Sequence, residues 1–353
     1  MNLNLRWILT AVVYLAPWSR SHSSTKKKLI VDTDLFSDVD DTGALLLACS
    51  HANVSLLGVN LNYPSTYTAL AASSLLGYYG HTAVPIGIKR PLTNDTFLDI
   101  YAYQHGEYAS KVAYHWQTYS SLPWMDVTGT WDSVELYRRV LSQEDDQSVT
   151  IASIGFLDNL SNLLASGPDS HSPLSGRDLV AAKVSELAVM GGEYPSGHEF
   201  NFFGHNITAA ADVVNTWPGR VTFIGFELGR DVYSGGQLMV DGPESDPVNA
   251  AYRWYNGYDV PRESWDPLTV LYAIEGLGDI FKYGNSGGHN HVFPNGSNAW
   301  QAEGDGHAGQ HRYLKLNVSP AAAGALLDRL FLRGAVAAAK DSGCSKYEPS
   351  LCS

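Results

Sequence analysis

Five aspartates, Asp32, Asp34, Asp38, Asp40 and Asp41, fall within ten positions, directly after the apolar run Leu29–Val31. Like charges packed this closely repel strongly unless a cation neutralises them. Hard divalent ions take carboxylate oxygens, and Ca²⁺ accepts roughly six to eight oxygen ligands in adaptable geometry. The flanking residues say what positions the cluster. Leu29–Val31 reads as the end of a buried strand and Gly43–Ala48 as the start of a buried helix. The aspartates therefore occupy a strand-to-helix turn, and open α/β sheets bind ligands at the carboxyl ends of their strands. The plainer alternative is a solvated acidic loop in which Asp40 caps a helix. Against it, Asp32 and Asp34 abut the strand rather than solvent.

Two other acidic-loop chemistries can be weighed from spacing. An EF-hand needs ligands at positions 1, 3 and 5, Gly at 6 and Glu at 12. Counted from Asp32, those places hold Phe36 at 5, Ser37 at 6 and Gly43 at 12, so the match fails. A D-x-D after a strand also suits an aspartate-nucleophile phosphotransferase, with one carboxylate attacking and one serving as its partner acid. Asp32-Thr33-Asp34 fits that pattern loosely, and the remainder of the chain must discriminate.

With Asp32-Thr33-Asp34 and Asp40-Asp41-Thr42-Gly43-Ala44-Leu45, the chain resembles the inosine-uridine-preferring nucleoside hydrolase family. That family begins with D-x-D and D-D-x-x-A-L. Its commonest form has three residues between the two pieces; here there are five, Leu35 to Val39, including an extra D-V. Three further segments follow in the family's order. Gly155-Phe156-Leu157-Asp158-Asn159-Leu160 resembles the turn that gives a main-chain carbonyl to the metal. Met190-Gly191-Gly192 with Glu199-Phe200-Asn201 resembles the ribose-holding segment. Trp265-Asp266-Pro267-Leu268 resembles the segment with the last metal carboxylate. The likeness spans about residues 28–340.

The resemblance implies a Ca²⁺-dependent hydrolase that cleaves the N-glycosidic bond of a ribonucleoside. Asp34, Asp41 and Asp266 would be the metal carboxylates, with the Asp158 carbonyl completing the protein's set. Asp34 would also act as general base. Asp40 and Asn201 would hold ribose hydroxyls and Glu199 the 5′ end, while Asp32 would orient the loop from behind. His105, in Gln104-His105-Gly106-Glu107, matches a segment lining the family pocket and is a candidate acid. Taken alone, Asp266-Pro267 is an ordinary helix start, and only motif order raises it to a ligand.

The departures bear on the leaving base. Trp265 stands where many members have a His able to protonate it, Ser65 aligns loosely with an Asn, and His205-Asn206 replaces the usual D-P. Stacking on Trp265, or protonation by His105, His198 or His205, would then serve instead. A protein that binds nucleosides or sugars without turnover is the remaining alternative. The family also implies dimers or tetramers.

Composition bounds the rest. The chain has 353 residues, 44% of them hydrophobic, and a formal net charge of −13, which disfavours a phosphate-backbone partner such as nucleic acid and suits a small neutral substrate. Arg6 followed by the apolar stretch Trp7–Trp18 reads as a secretory signal peptide over residues 1–24, too short to span a membrane. A catalytic domain over 25–340 and a tail over 341–353 complete the organisation. Secretion agrees with sequons at Asn53, Asn94, Asn206 and Asn295 and with a disulfide between Cys344 and Cys352. Asn159 also begins a sequon but lies in the metal turn, and Cys49 reads as a free thiol.

Short β-branched runs alternate with helical patterns, which predicts a single α/β domain with a mostly parallel sheet flanked by helices. Strands are expected at 28–31, 54–61, 84–88, 148–154, 186–190 and 220–224. Helices are expected at 41–50, 67–78, 132–142, 157–165, 207–216, 247–256, 267–274 and 320–340. The three strand-end turns at Asp32–Asp41, Gly155 and Gly191-Gly192 should converge on one site.

Overall fold

The computed structural model describes residues 26–96, 105–302 and 310–341. The expected signal peptide, Cys344 and Cys352 lie outside the described residues. In chain order the strands are β1 (Lys27–Thr33), β2 (Val54–Leu61), β3 (Ile86–Ile88), β4 (Trp131–Asp132), β5 (Val149–Ile154), β6 (Val184–Met190), β7 (Ser196–Gly197), β8 (Val221–Ile224), β9 (Tyr233–Ser234), β10 (Arg262–Glu263), β11 (Phe281–Tyr283), β12 (His289–Val292), β13 (Asn298–Gln301) and β14 (His311–Leu316).

Nine of them form one sheet in the order β11-β14-β8-β6-β5-β1-β2-β3-β4. Every neighbouring pair is parallel except β11 with β14. The sheet is buried on both faces, as a parallel sheet with helical crossovers must be. β1 shows the alternation directly: Leu29 and Val31 enter one core cluster and Ile30 the other. The first cluster takes helices Asp40–Ser50, Thr66–Tyr78, Asp266–Glu275 and Pro320–Asp341, and the second takes Ser133–Gln143, Asp158–Ala165, Gly176–Lys183 and Ile207–Thr216.

The single α/β domain and its parallel sheet are as the alternation predicts. The differences are local. β1 runs two residues beyond its expected end, through Asp32 and Thr33, because their side chains are hydrogen-bonded in the interior. β3 starts at Ile86, after Pro85. Elements not foreseen include the helices Ala109–His115 and Gly176–Lys183, the hairpin β12–β13, the strands β11 and β14, and the two-residue strands β4, β7, β9 and β10. β14 reads His-Arg-Tyr-Leu-Lys-Leu, where buried His311 and charged neighbours blur the apolar pattern.

What the topology does for function is set by three adjacent strands. β1, β5 and β6 lie side by side, with Thr33 level with Ile154 and Ser153 level with Val189. Their carboxyl ends therefore deliver the acidic turn, the Gly155 turn and the Gly191-Gly192 turn to one place.

Candidate active site

Asp32 anchors the acidic turn from below. Its carboxylate accepts hydrogen bonds from Asn62 Nδ2 at 2.8 Å, the Tyr137 hydroxyl at 2.7 Å and Asn159 Nδ2 at 3.2 Å. These donors come from the end of β2 and from two different helices, so one buried carboxylate ties three elements together. Burial raises its pKa to about 7, and the three donors offset only part of that rise. Asp32 does not line the cleft above it.

Asp34, Asp40, Asp41 and Asp266 do line it. Asp34 Oδ2 accepts from Ser37 Oγ at 2.9 Å. The backbone of Gly155 passes so close that a Cβ there would lie 2.5 Å from Asp34 N, which is why this turn requires glycine. Asp41 Oδ1 accepts from the Thr33 hydroxyl, while its Oδ2 is buried and has no hydrogen-bond partner among the described residues. Asp40 Oδ2 accepts from Trp265 N at 3.0 Å and Asp266 N at 3.1 Å.

Carboxylate oxygens of Asp40, Asp41 and Asp266 lie within 4.8 Å of one another. Burial, then mutual repulsion, holds Asp41 and Asp266 well above the usual carboxylate range; burial and the nearby Asp38 do the same for Asp40. Burial lifts Asp34 to about 7. A buried, oxygen-only group with an unpaired oxygen fits a hard divalent cation, which would remove the repulsion. The closest trio holds Asp40 where the resemblance puts Asp34. Asp34 stands beside it, near enough for its charge to push up Asp41 and Asp266.

The cleft over these carboxylates has a volume of about 400 Å³. Glu199 and Asn201 face it and are themselves fixed. Glu199 accepts from Gly192 N at 3.0 Å and Asn201 N at 2.9 Å, closing the Gly191-Gly192 turn, and burial raises its pKa to about 7. Asn201 Nδ2 donates to Met190 O at 3.2 Å. Trp265 stacks on Phe226, with ring centroids 5.5 Å apart at 18°, and its Nε1 donates to Phe226 O at 2.7 Å. A tethered indole beside an aromatic ring offers a flat apolar face.

Several expected residues stand elsewhere. Ser65 is buried outside the cleft, where it caps helix Thr66–Tyr78 and donates to Asp95 O at 2.6 Å. Its hydroxyl proton is committed to that carbonyl, and the residue stands off the cleft. His105 lies behind Tyr255, stacked on it at 4.6 Å and 3°, so Tyr255 and not His105 lines the cleft. The Asp158 carboxylate turns to Lys89 at 2.7 Å and His205 at 3.3 Å; burial would raise its pKa, but the hydrogen bonds from His205 and Lys89 bring it below the ordinary value. Of the three histidines considered as acids only His198 lines the cleft, stacked on Phe203 at 4.0 Å.

Sequence reasoning missed Tyr255, Phe226, Phe203, Glu193 and Arg262 as cleft residues. Glu193 directly follows the quoted Met190-Gly191-Gly192 and Phe203 lies two residues past the E-F-N segment; Tyr255, Phe226 and Arg262 carry no local signal. A second, shallower groove along Pro320–Asp341, lined by Arg329, Leu332, Arg333, Val336, Ala337 and Lys340, contains no carboxylate or aromatic ring.

Buried carboxylates at parallel strand ends, under a cleft with an aromatic wall, are the site of an α/β enzyme that handles a small ligand. The chain belongs to the inosine-uridine preferring nucleoside hydrolase family, whose model matches residues 29–322. It is similar to the probable uridine nucleosidase 2 of Arabidopsis thaliana, 34% identical over 87 residues, which is 23% of this chain and 26% of that protein. The chain thus matches about a quarter of that curated relative's length. Its fold is similar to that of a plant nucleoside hydrolase, 19% identical with TM-score 0.62, over 87% of this chain and 99% of that one. It is similar also to a purine-preferring ribonucleoside hydrolase from Gardnerella vaginalis, 16% identical with TM-score 0.64, over 89% and 100% of the two chains.

Proposed function

We propose that this protein is a secreted hydrolase that cleaves the N-glycosidic bond of a ribonucleoside, with Ca²⁺ held by Asp34, Asp41, Asp266 and the Asp158 carbonyl. The observation that carries the reading is the buried carboxylate cluster under the cleft, Asp40, Asp41 and Asp266 with Asp34 beside them, in which Asp41 Oδ2 is buried and unpaired among the described residues. When bound, such a cation neutralises the carboxylates and makes a water easier to deprotonate. Asp34, which lines the cleft, would be the carboxylate placed to take a proton from the attacking water. Asp40 and Asn201 hold ribose hydroxyls, and Glu199 keeps the Gly191-Gly192 turn in place around the sugar. The Phe226–Trp265 stack receives the base.

The relatives' names supply the panel: uridine, inosine and purine ribonucleosides, assayed for reducing ribose with and without chelator. Free ribose lost on chelation is the expected result. Phosphate released from phosphoesters would point to aspartate-nucleophile chemistry, and thermal stabilisation by nucleoside without product to a silent binder.

Secretion and glycosylation belong to the same proposal. Asn53, Asn94, Asn206 and Asn295 are exposed, whereas Asn159 is fully buried and bonded to Asp32. Glycans are expected at the first four and none at Asn159, which mass mapping of protein secreted from a eukaryotic host would check. Among the described residues no helix is long and apolar enough to cross a membrane. Assembly as a dimer or tetramer is proposed on the family resemblance, with sedimentation as its check.

A further inference from the structure

Arg262 and Asp38 stand 224 positions apart and meet at the cleft. Arg262 Nε donates to the two Asp38 oxygens at 2.9 and 3.1 Å, and Nη2 donates to Oδ2. Nη1 donates to Glu263 Oε2 at 2.8 Å. The guanidinium also lies 5.7 Å from the Tyr255 ring centroid and 5.5 Å from that of Trp265. Asp38 is committed from its other side as well. Its carbonyl accepts from the buried Tyr108 hydroxyl at 2.6 Å, and its Oδ1 accepts from Val39 N at 2.6 Å. An exposed ion pair would contribute little. This one is a planar fork on a carboxylate, with side chains only 17% and 24% exposed.

Their positions in the chain give the pair its meaning. Asp38 lies in the lengthened stretch Leu35–Val39, two residues before Asp40. Arg262 lies four residues before Asp266 and three before Trp265. Asp40 already bonds the main chain of Trp265 and Asp266. The acidic turn is therefore fastened to the Arg262–Asp266 segment at three points, two of them main-chain bonds and the third this ion pair.

We propose that Asp38 and Arg262 form a clamp that sets the acidic turn against Trp265 and Asp266, making Arg262 a positioning residue of the cation site. The clamp accounts for the extra residues in this chain's acidic turn, and it rests on the reading of the carboxylates as a cation site. A guanidinium that served only as a counter-charge would behave differently. Its removal would strengthen cation binding, removal of Asp38 would weaken it, and removal of both would cancel.

The test is Ca²⁺ titration by calorimetry on the full chain, comparing wild type with Arg262→Gln, Asp38→Asn, the double variant and Arg262→Lys. Under the clamp, each single variant loses about tenfold or more in affinity, as when an outer-shell partner is removed. The double variant is then no worse than the singles, and Arg262→Lys, which keeps charge but not the fork, falls with Arg262→Gln. Melting in chelator checks that each variant folds, and Arg262→Lys decides if the harsher ones do not. Tighter binding in Arg262→Gln, additive losses in the double variant, or unchanged affinity in Arg262→Lys would overturn the clamp alone. If wild type binds no divalent cation, the cation-site reading fails and takes the clamp with it.

Discussion

Asp40 Oδ2 accepts the main-chain N–H of Asp266 at 3.1 Å, so one acidic residue fixes the helix start that presents another. The same oxygen holds Trp265 N at 3.0 Å. Asp40 thus builds the site as well as facing it, and substitutions there should separate the two roles. Asp40→Asn keeps an oxygen acceptor and should leave stability nearly unchanged while weakening ribose binding. Asp40→Ala orphans two buried N–H groups and should lose about 1–3 kcal/mol in denaturant unfolding. Equal stability of the two variants would show that the bonds to Trp265 and Asp266 contribute nothing.

Removing Asp41 or Asp266 takes away a carboxylate from the buried trio and should abolish both cation binding and turnover. Asp34→Asn should keep part of the cation affinity, since an amide oxygen still coordinates. It should lose about 10²–10⁴-fold in kcat, because an amide cannot accept the proton. Full activity in Asp34→Asn, or activity that survives exhaustive chelation, contradicts the assignment.

The raised carboxyls also fix a sign for pH. Asp32, Asp34 and Glu199 reach about 7 in the fold from ordinary values of 3.8, 3.8 and 4.5. Between those limits the folded chain binds more protons than the unfolded one, so the contribution of these three groups to stability falls as pH rises from about 4 to about 7 and then levels. The chelated protein should therefore melt higher at pH 5 than at pH 8. Added Ca²⁺ should raise the melting temperature more at pH 8 than at pH 5, because the cation competes with protons for these carboxylates. A chelated protein that melts higher at pH 8 would contradict the shifts.

Much of this was legible in the sequence. Parallel strands buried on both faces write themselves as continuous apolar runs, so β1, β2, β5 and β6 were recognisable, as was the acidic turn between β1 and its helix. Arg262, Tyr255 and Phe226 were not. Their roles depend on which segments the fold brings together: Arg262 meets Asp38 224 positions away and Phe226 meets Trp265 39 positions on, and neither partner is marked locally. Ser65 shows the reverse error. A loosely aligned position suggested a ligand, whereas a Ser before a helical run is first a cap.

Trp265 sets an expectation for the leaving group. Its Nε1 is engaged with Phe226 O, so the indole offers a surface and not a proton to the departing base. An activated aryl riboside should be cleaved about 10²-fold or more faster than inosine or uridine, the range a missing general acid represents. Trp265→His should narrow that gap. Equal rates on both substrates, with a bell-shaped pH profile lost in His198→Ala or His105→Ala, would reveal a conventional acid.

The bond from Asp40 to Asp266 spans 226 positions. Its two ends leave the ribosome far apart in time, and closing a chain segment of that length carries a large entropic cost before any contact repays it. An early fragment would hold the acidic turn with its charges unopposed and no Asp266 to complete the set. Cation loading is therefore a property of the finished chain, and a truncation before Arg262 should leave a product that neither takes up Ca²⁺ nor resists protease.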